Sequence, residues 1–142
     1  MTTMRIRPFA VEDTEAVIAL WRDCDLTRPW NDPARDIDRK LALADDLLLV
    51  STVDDRVVGT VMAGYEGHRG WINYLAVEPT ERGAGHGRAL MAVAELRLRE
   101  LGCPKINLQV RATNPDAIAF YERIGFTVDD AVSLGKRLLT EN

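Results

Sequence analysis

The chain has 142 residues, two cysteines and a formal charge of −4, from 18 basic and 22 acidic side chains. Its length and composition fit one globular domain spanning residues 1–142. The acidic balance argues against a nucleic-acid binder, no apolar run is long enough for a membrane span, and no secretion signal opens the chain, so we expect a cytoplasmic protein.

The first half of the chain predicts one edge strand, two helices and a meander of three strands. Asp13 is expected to cap the first helix, and the pair Asp32-Pro33 provides an N-cap acceptor and a first-turn proline for the second. The predicted ranges are a strand at Met4–Phe9, helices at Thr14–Cys24 and from Pro33 to about Leu43, and strands at Leu47–Val53, Arg56–Tyr65 (with Val57, Gly59, Val61 and Ala63 on one face) and Trp71–Val77.

The second half predicts a long helix, a strand, a short helix and a terminal hairpin. The long helix is expected from about Gly85 to Leu101, because a glycine and a proline follow it. The pair Asn114-Pro115 opens the short helix, and Gly125 closes it. The predicted strands are Lys105–Val110, Phe126–Asp129 and Val132–Leu138. Because strands and helices alternate, we expect an α/β domain with a mixed sheet.

A glycine-rich loop between a predicted strand and the long helix carries the strongest chemical signal. It reads RGAGHGRAL from Arg82 onwards, and glycines let backbone N–H groups approach an anion at a helix N-terminus. Arg82 and Arg88 add guanidinium groups suited to phosphate. A glycine-rich surface turn is the alternative, but the strand–loop–helix context favours a pyrophosphate site. A Rossmann loop fits poorly after an antiparallel meander, and no Gly-Lys-Ser/Thr follows to make a Walker loop.

A second block, NPDAIAFYERIGF at Asn114–Phe126, complements this loop. Together the two blocks resemble the GCN5-related N-acetyltransferase (GNAT) superfamily, and shorter stretches at residues 25–33, 64–70 and 134–138 resemble its YpeA-type subgroup. The family's phosphate loop, Arg/Gln-x-x-Gly-x-Gly/Ala, is matched by Arg82, Gly85 and Gly87. Its later block, Asn-x-x-Ala-x-x-Phe-Tyr-x-x-x-Gly-Phe, is matched by Asn114, Ala117, Phe120, Tyr121, Gly125 and Phe126.

The resemblance implies an acetyl-CoA-dependent transferase with a mixed, largely antiparallel central sheet, a splayed parallel pair of strands and flanking helices. The pantetheine arm would lie between Trp71–Val77 and Lys105–Val110 and bond their unpaired backbone groups. Asn114 is equally expected as a plain N-cap. The cofactor-binding residues implied are Leu75, Ala76, Val77, Arg82, Gly83, Ala84, Gly85, His86, Gly87, Arg88, Asn114 and Tyr121.

Acetyl transfer to an amine needs a neutral amine, donors for the oxyanion and stabilisation of the departing thiolate. Tyr121 resembles the family's general acid toward the CoA sulfur, and a core tyrosine is the alternative. Backbone N–H groups near Leu75–Val77 are the implied oxyanion donors. Glu66, Tyr74 and His68 are candidate bases. Of these, Glu66 acting through an ordered water is the expected base. The alternative is that the reaction proceeds without a dedicated base.

The irregular loop after the first helix is expected to bind the acceptor together with the facing strand ends, since functional residues favour such loops. The candidate substrate-binding residues are Asp25, Arg28, Trp30, Asn31 and Tyr74. Two functions stay open: N-acetylation of a primary amine on a small molecule, protein or peptide, and a non-catalytic acyl-CoA-binding sensor or partner-docking module. No metal site is predicted, and an exposed terminal strand favours a homodimer.

Overall fold

A single mixed sheet organises the chain, of which the computed structural model describes residues 3–140. Its strands are β1 (Met4–Pro8), β2 (Leu48–Val53), β3 (Arg56–Tyr65), β4 (Gly70–Val77) and β5 (Ile106–Leu108). The helices are α1 (Thr14–Asp23), α2 (Pro33–Ala42), α3 (His86–Glu100) and α4 (Pro115–Arg123). The sheet follows chain order, with three antiparallel pairs and one parallel pair, β4 with β5.

The elements predicted up to α4 are confirmed, with boundaries shifted by one or two residues. Local chemistry explains this agreement. Asp32 Oδ1 accepts from the N–H of Ala34 at 2.9 Å, ahead of a proline at the first position of α2. Asn114 Oδ1 accepts from the N–H of Ala117 at 3.2 Å at the start of α4. None of the helices in residues 3–140 is long and apolar enough to cross a membrane.

Two apolar clusters cover the two faces of the sheet. Adjacent residues of β2 belong to different clusters, Leu49 to the one under α3 and Leu48 to the one under α1. The prediction that four alternate β3 residues share one face is wrong at Val57, which packs on the α1 side while Val61 packs on the α3 side. The register between β2 and β3 shifts between Ser51 and Thr52, which lie opposite Gly59 and Val57. A one-residue slip in register turns side chains to the other face of the sheet.

The predicted capping of α1 by the Asp13 side chain is wrong. Its carboxylate accepts instead from both terminal nitrogens of the Arg7 guanidinium, at 2.7 and 2.9 Å, and from the N–H of Ala10 at 2.8 Å. A bidentate, charge-assisted pair is stronger than a hydrogen bond to one helix N–H. The hydrogen bond to Arg7 holds the pKa of Asp13 below its ordinary value.

The predicted hairpin at Phe126–Asp129 and Val132–Leu138 is also wrong, because the described part of this segment contains no strand. Residues 127–140 are exposed and irregular. Side chains, not a backbone ladder, connect the segment to the β5 region, with Lys105 bonded to Asp129 and Gln109 to Ser133. Alternating apolar residues specify a strand only when one face is buried, and this segment has no buried face.

We expect Asp13→Asn to lower the free energy of unfolding by about 1–3 kcal/mol near pH 7, because it removes the charge that Arg7 pairs with. Since the folded-state pKa of Asp13 is lowered, the stabilisation is present above its ordinary pKa and is lost as pH falls through the folded value. Urea unfolding from about pH 7 to about pH 2 measures this. Asp38→Asn, at an exposed position of α2, is the control, and a difference that does not shrink with acid would contradict the assignment.

Candidate active site

Strand β4 separates from β5 after a short parallel pairing. Gly70–Ile72 pair with Ile106–Leu108, and β5 then ends while β4 continues to Val77. Among the described residues, the main chain of β4 from 73 to 77 therefore has no strand on its β5 side. An extended ligand can bond such free N–H and C=O groups as an added strand would.

A bulge in β4 lies where the two strands part. The register against β3 passes from Met62 opposite Asn73 to Thr60 opposite Ala76. Tyr74, inside the bulge, has a φ of 51°, a left-handed conformation that costs a non-glycine residue roughly 1–2 kcal/mol. The bulge directs Tyr74 to the α1 face of the sheet and Leu75 to the α3 face.

The glycine-rich loop leads from β4 into the N-terminus of α3. Gly83 and Gly85 have φ values of +87° and +88°, and no atom lies within 4 Å of the position that a Cβ would take. Gly85 is the N-cap of α3, so the open side of the loop adjoins helix N–H groups that have no intrahelical acceptor. A Cβ on Gly87 would lie 3.3 Å from Phe120 Cζ, so this glycine lets α4 pack on α3. The loop fits a pyrophosphate group.

The charged side chains of the loop differ in how they are held. Arg82 Nε donates to the carbonyl of Val77 at 3.1 Å, and Arg88 is exposed on the first turn of α3. His86 is only 3% exposed, with Nε2 3.8 Å from Glu81 Oε2. Since its ring is buried, His86 offers an anion its backbone N–H and not its imidazole.

Tyr121 lies on α4 and packs against the cluster under α3. Its ring meets Phe120 and Phe126 edge-on, at centroid distances of 5.2 and 5.6 Å. Burial raises the pKa of Tyr121 to about 12. The hydroxyl is protonated at neutral pH, as an ordinary phenol is, so it is available as a proton donor, and the raised pKa makes it a weaker acid.

On the opposite face, Tyr74 belongs to a polar cluster with Asp36 and Asn31. Tyr74 Oη and Asn31 Nδ2 each donate to Asp36 Oδ2 at 2.5 Å. Burial, together with the hydrogen bond to Asp36, raises the pKa of Tyr74. The three side chains line a cavity of about 610 Å³ between α2 and strands β3 and β4. Sequence reasoning missed Asp36, because one acid among the alternating charges of PARDIDRKLA carries no distinguishing signal.

The other predicted acceptor residues lie in the loop after α1 and are not among the residues that line this cavity. Asp25 Oδ1 is 3.4 Å from Arg28 Nη1, which also donates to two carbonyls of the loop. Trp30 is 47% exposed, and its carbonyl accepts from Arg137 of the C-terminal segment at 3.0 Å. Of the five predicted acceptor residues, the fold brings only Asn31 and Tyr74 together with Asp36.

Glu66 is located in the turn between β3 and β4, and its carboxylate stabilises that turn. Oε1 accepts from the backbone N–H groups of Arg69 and His68. These hydrogen bonds, led by that from Arg69, hold the pKa of Glu66 below its ordinary value, which makes the carboxylate a weaker base. Within residues 3–140, no three His, Cys, Asp or Glu side chains are grouped to hold a metal ion.

The splayed strands and the anion-binding loop define an acyltransferase that uses acetyl-CoA. The sequence profile described as the Acetyltransferase (GNAT) family matches residues 14–126, and the chain belongs to this family. An acetyltransferase of Pectobacterium atrosepticum is 50% identical over 138 residues, which cover 97% of this chain and 98% of the relative.

Solved structures agree with the fold. Ard1 from Thermoplasma volcanium is 29% identical with a TM-score of 0.80, over 89% of this chain and 84% of that one. The aminoglycoside N-acetyltransferase AAC(6')-Iy in complex with CoA has a TM-score of 0.78 over 98% and 97% of the two chains. At 19% identity, this second likeness shows the fold alone.

We expect Gly85→Ala to weaken CoA binding about tenfold, because the strained φ of a non-glycine residue displaces the loop N–H groups. Gly102→Ala is the matched control: Gly102 has a φ of +84° and equally open surroundings, but it follows the far end of α3. Both variants should lose similar thermal stability, and only Gly85→Ala should lose CoA affinity by isothermal titration. Equal CoA affinity in the two variants would remove the loop from the binding site.

Proposed function

We propose that the enzyme transfers the acetyl group of acetyl-CoA to a primary amine of a small molecule or of a protein or peptide, by direct attack on the thioester. The observation that carries this proposal is the opening between β4 and β5, with Tyr121 on one side of the sheet and the cavity at Tyr74 and Asp36 on the other. A thioester in that opening has a proton donor on one side and room for an amine on the other.

The proposed cofactor contacts follow the open edge of β4 and the loop. Backbone groups of Leu75–Val77 would bond the pantetheine amides, and the N–H groups of Gly83–Arg88 would hold the pyrophosphate. Asn114 uses its Oδ1 to cap α4, which leaves its amide nitrogen for the cofactor arm. Acetyl-CoA, when bound, supplies an acetyl group already activated as a thioester.

Proton movement divides between the two sides of the sheet. The proposed donor to the leaving sulfur is Tyr121 Oη, which keeps its proton until about pH 12. An alkyl ammonium has a pKa of about 10.4 and must lose a proton before it attacks. Glu66 stays the proposed acceptor of that proton through water. Because its lowered pKa makes Glu66 a weaker base, deprotonation of the ammonium depends more on desolvation, which lowers the pKa of the amine as it enters the cavity.

The proposed acceptor site extends from the cavity to the loop after α1. Asn31 and Tyr74 line the cavity, and Asp25, Arg28 and Trp30 lie in the same loop as Asn31. The name of the similar aminoglycoside N-acetyltransferase indicates that this fold accommodates an amine acceptor.

Tyr121→Phe should lower kcat by about 10²-fold or more, because removal of the hydroxyl removes the proton donor. The Kd for CoA should stay within about twofold, since the ring still packs against its aromatic neighbours. Thiol release with a panel of amines, and CoA titration, measure the two quantities. Tyr65→Phe removes a hydroxyl that bonds only the Gly67 carbonyl and is the control. An unchanged kcat in Tyr121→Phe would disprove the role of Tyr121 as acid.

We also propose that the chain forms a homodimer through β5 and the C-terminal segment, defined as residues 127–140. Strand β5 is the outer strand of the described sheet, and the segment contacts its neighbourhood only through side chains. A cavity of about 640 Å³ lies between β5, α4 and this segment. Val132 and Leu134 are 85% and 92% exposed. A strand from a second copy would satisfy the edge of β5 and cover these side chains.

In sedimentation velocity, the wild-type protein should have about twice the 15.9 kDa mass of one chain. Leu134→Asp should shift it to the monomer, because a charge there opposes burial at the interface. Val11→Asp, at an exposed apolar position near the other end of the chain, should leave the dimer intact. A monomeric wild type at micromolar concentration would refute the dimer.

A further inference from the structure

The bulge of β4 must be stabilised by its surroundings, because Tyr74 is not a glycine and yet adopts a φ of 51°. Such a conformation survives only when the surrounding structure restrains it from several directions, and it is concentrated at functional sites. Tyr74 and Leu75 have no ladder partners in β3, and β5 ends before reaching them. The bulge therefore sets the main chain of Tyr74 and Leu75 out of register with β3 and beyond the end of β5.

Three contacts restrain Tyr74. Its ring stacks on Trp21, with centroids 3.7 Å apart and an interplanar angle of 12°. Its carbonyl accepts from Thr60 Oγ1 at 2.8 Å, and Thr60 Oγ1 in turn accepts from Trp21 Nε1 at 2.9 Å. Its hydroxyl donates to Asp36 Oδ2 at 2.5 Å. Ring, main chain and hydroxyl are thus held by α1, β3 and α2, respectively.

We call Trp21, Thr60 and Asp36, the three residues that hold Tyr74, the clamp. The hydrogen bonds among these residues and Tyr74 form one connected set. Trp21 and Thr60 are completely buried, so a broken bond between them leaves a polar group without water. Thr60 connects the ring of Trp21 to the main chain of the bulge, which makes its hydroxyl the link between the two restraints. Tyr74 directs its ring and its hydroxyl proton to this chain's own residues, so its side chain is already held before an acceptor enters the cavity.

We propose that Trp21, Thr60 and Asp36 are positioning residues, which hold Tyr74 so that main-chain N–H groups of the bulge are aimed at the carbonyl oxygen of the acetyl group. This inference rests on the proposed placement of the thioester beside β4. The clamp acts through the main chain of Tyr74 and Leu75 and touches no reacting atom itself. Preorganised donors of this kind stabilise developing negative charge without reorganisation.

Thr60→Val tests the link, because valine keeps the shape and removes the hydroxyl. We expect kcat to fall at least about tenfold, while the Kd for CoA stays within about twofold. Thr60→Ser, which retains the hydroxyl, should recover most of the loss. Wild-type kcat in Thr60→Val would overturn the proposal.

A pair of substitutions at the bulge separates a main-chain role from a side-chain role. Glycine adopts a positive φ without strain, whereas alanine does not. If Tyr74 serves to hold the main chain, Tyr74→Gly should keep a kcat several-fold higher than Tyr74→Ala, although both lack the ring and hydroxyl. Equal defects in the two variants would mean that the side chain itself acts on the substrate, and would overturn the proposal.

General loss of stability is controlled for on the opposite face of the sheet. Leu98→Ala removes a buried side chain under α3, outside the clamp and the phosphate loop. It should lower the melting temperature at least as much as Thr60→Val, yet leave kcat per folded molecule near that of the wild type. If all destabilised variants lose kcat in proportion to stability, the clamp has no positioning role.

A binding measurement keeps this test independent of the acceptor and of Tyr121. Wild-type protein without amine should bind acetyl-CoA more tightly than CoA. Thr60→Val should lower the ratio of the Kd for CoA to the Kd for acetyl-CoA several-fold, because it weakens the binding of acetyl-CoA and not that of CoA. This readout needs no turnover, so it stands even if Tyr121→Phe retains full activity or no amine is accepted. An unchanged ratio in Thr60→Val would refute the clamp while leaving the proposed acetyl transfer intact.

Discussion

The early end of hydrogen bonding between β4 and β5 is the constraint on which the rest of the structure depends. Three residues of each strand pair, and the sheet then opens in its own plane. A continuous ladder would consume the backbone groups of β4 and leave an extended ligand nothing to bond. The glycine-rich loop sits at the end of β4, so one strand leads from the opening to the anion-binding helix terminus.

The sheet also keeps apart two different chemical environments on its two faces. On the α3 face, Tyr121 packs among aromatic rings, and its burial raises the pKa of the phenol to about 12. On the α1 face, polar side chains from α2 and its preceding loop surround a cavity beside the bulge. The formal charge of −4 is a sum over the whole chain and does not show how charged groups are distributed between these two regions. Two arginines lie in or next to the glycine-rich loop, while at the cavity the Asp36 carboxylate accepts from Tyr74, Asn31 and Arg39.

Much of the fold could be predicted because its signals are local. Helix caps at Asp32 and Asn114 depend on residues two or three positions away, and they form as expected. The strand–loop–helix geometry around the glycine-rich loop was predictable for the same reason, since the glycines, the preceding strand and the following helix are contiguous. Asp13 was predicted wrongly because Arg7, six positions earlier, competed with the helix for the carboxylate. The C-terminal apolar pattern predicted a strand that had no surface to pack on.

By itself, the sequence determined the order of elements up to α4, the glycine-rich turn into α3 and the position of Tyr121 in its motif. Each of these depends on spacing along the chain. Only the tertiary structure decided that Asp36 meets Tyr74 and that Trp21 meets Thr60, contacts that span 38 and 39 positions. Only the structure located the bulge, since a strand with φ of 51° at a tyrosine has no sequence signature. Such contacts are set by how α1 and α2 dock on the sheet, and docking depends on the whole core at once.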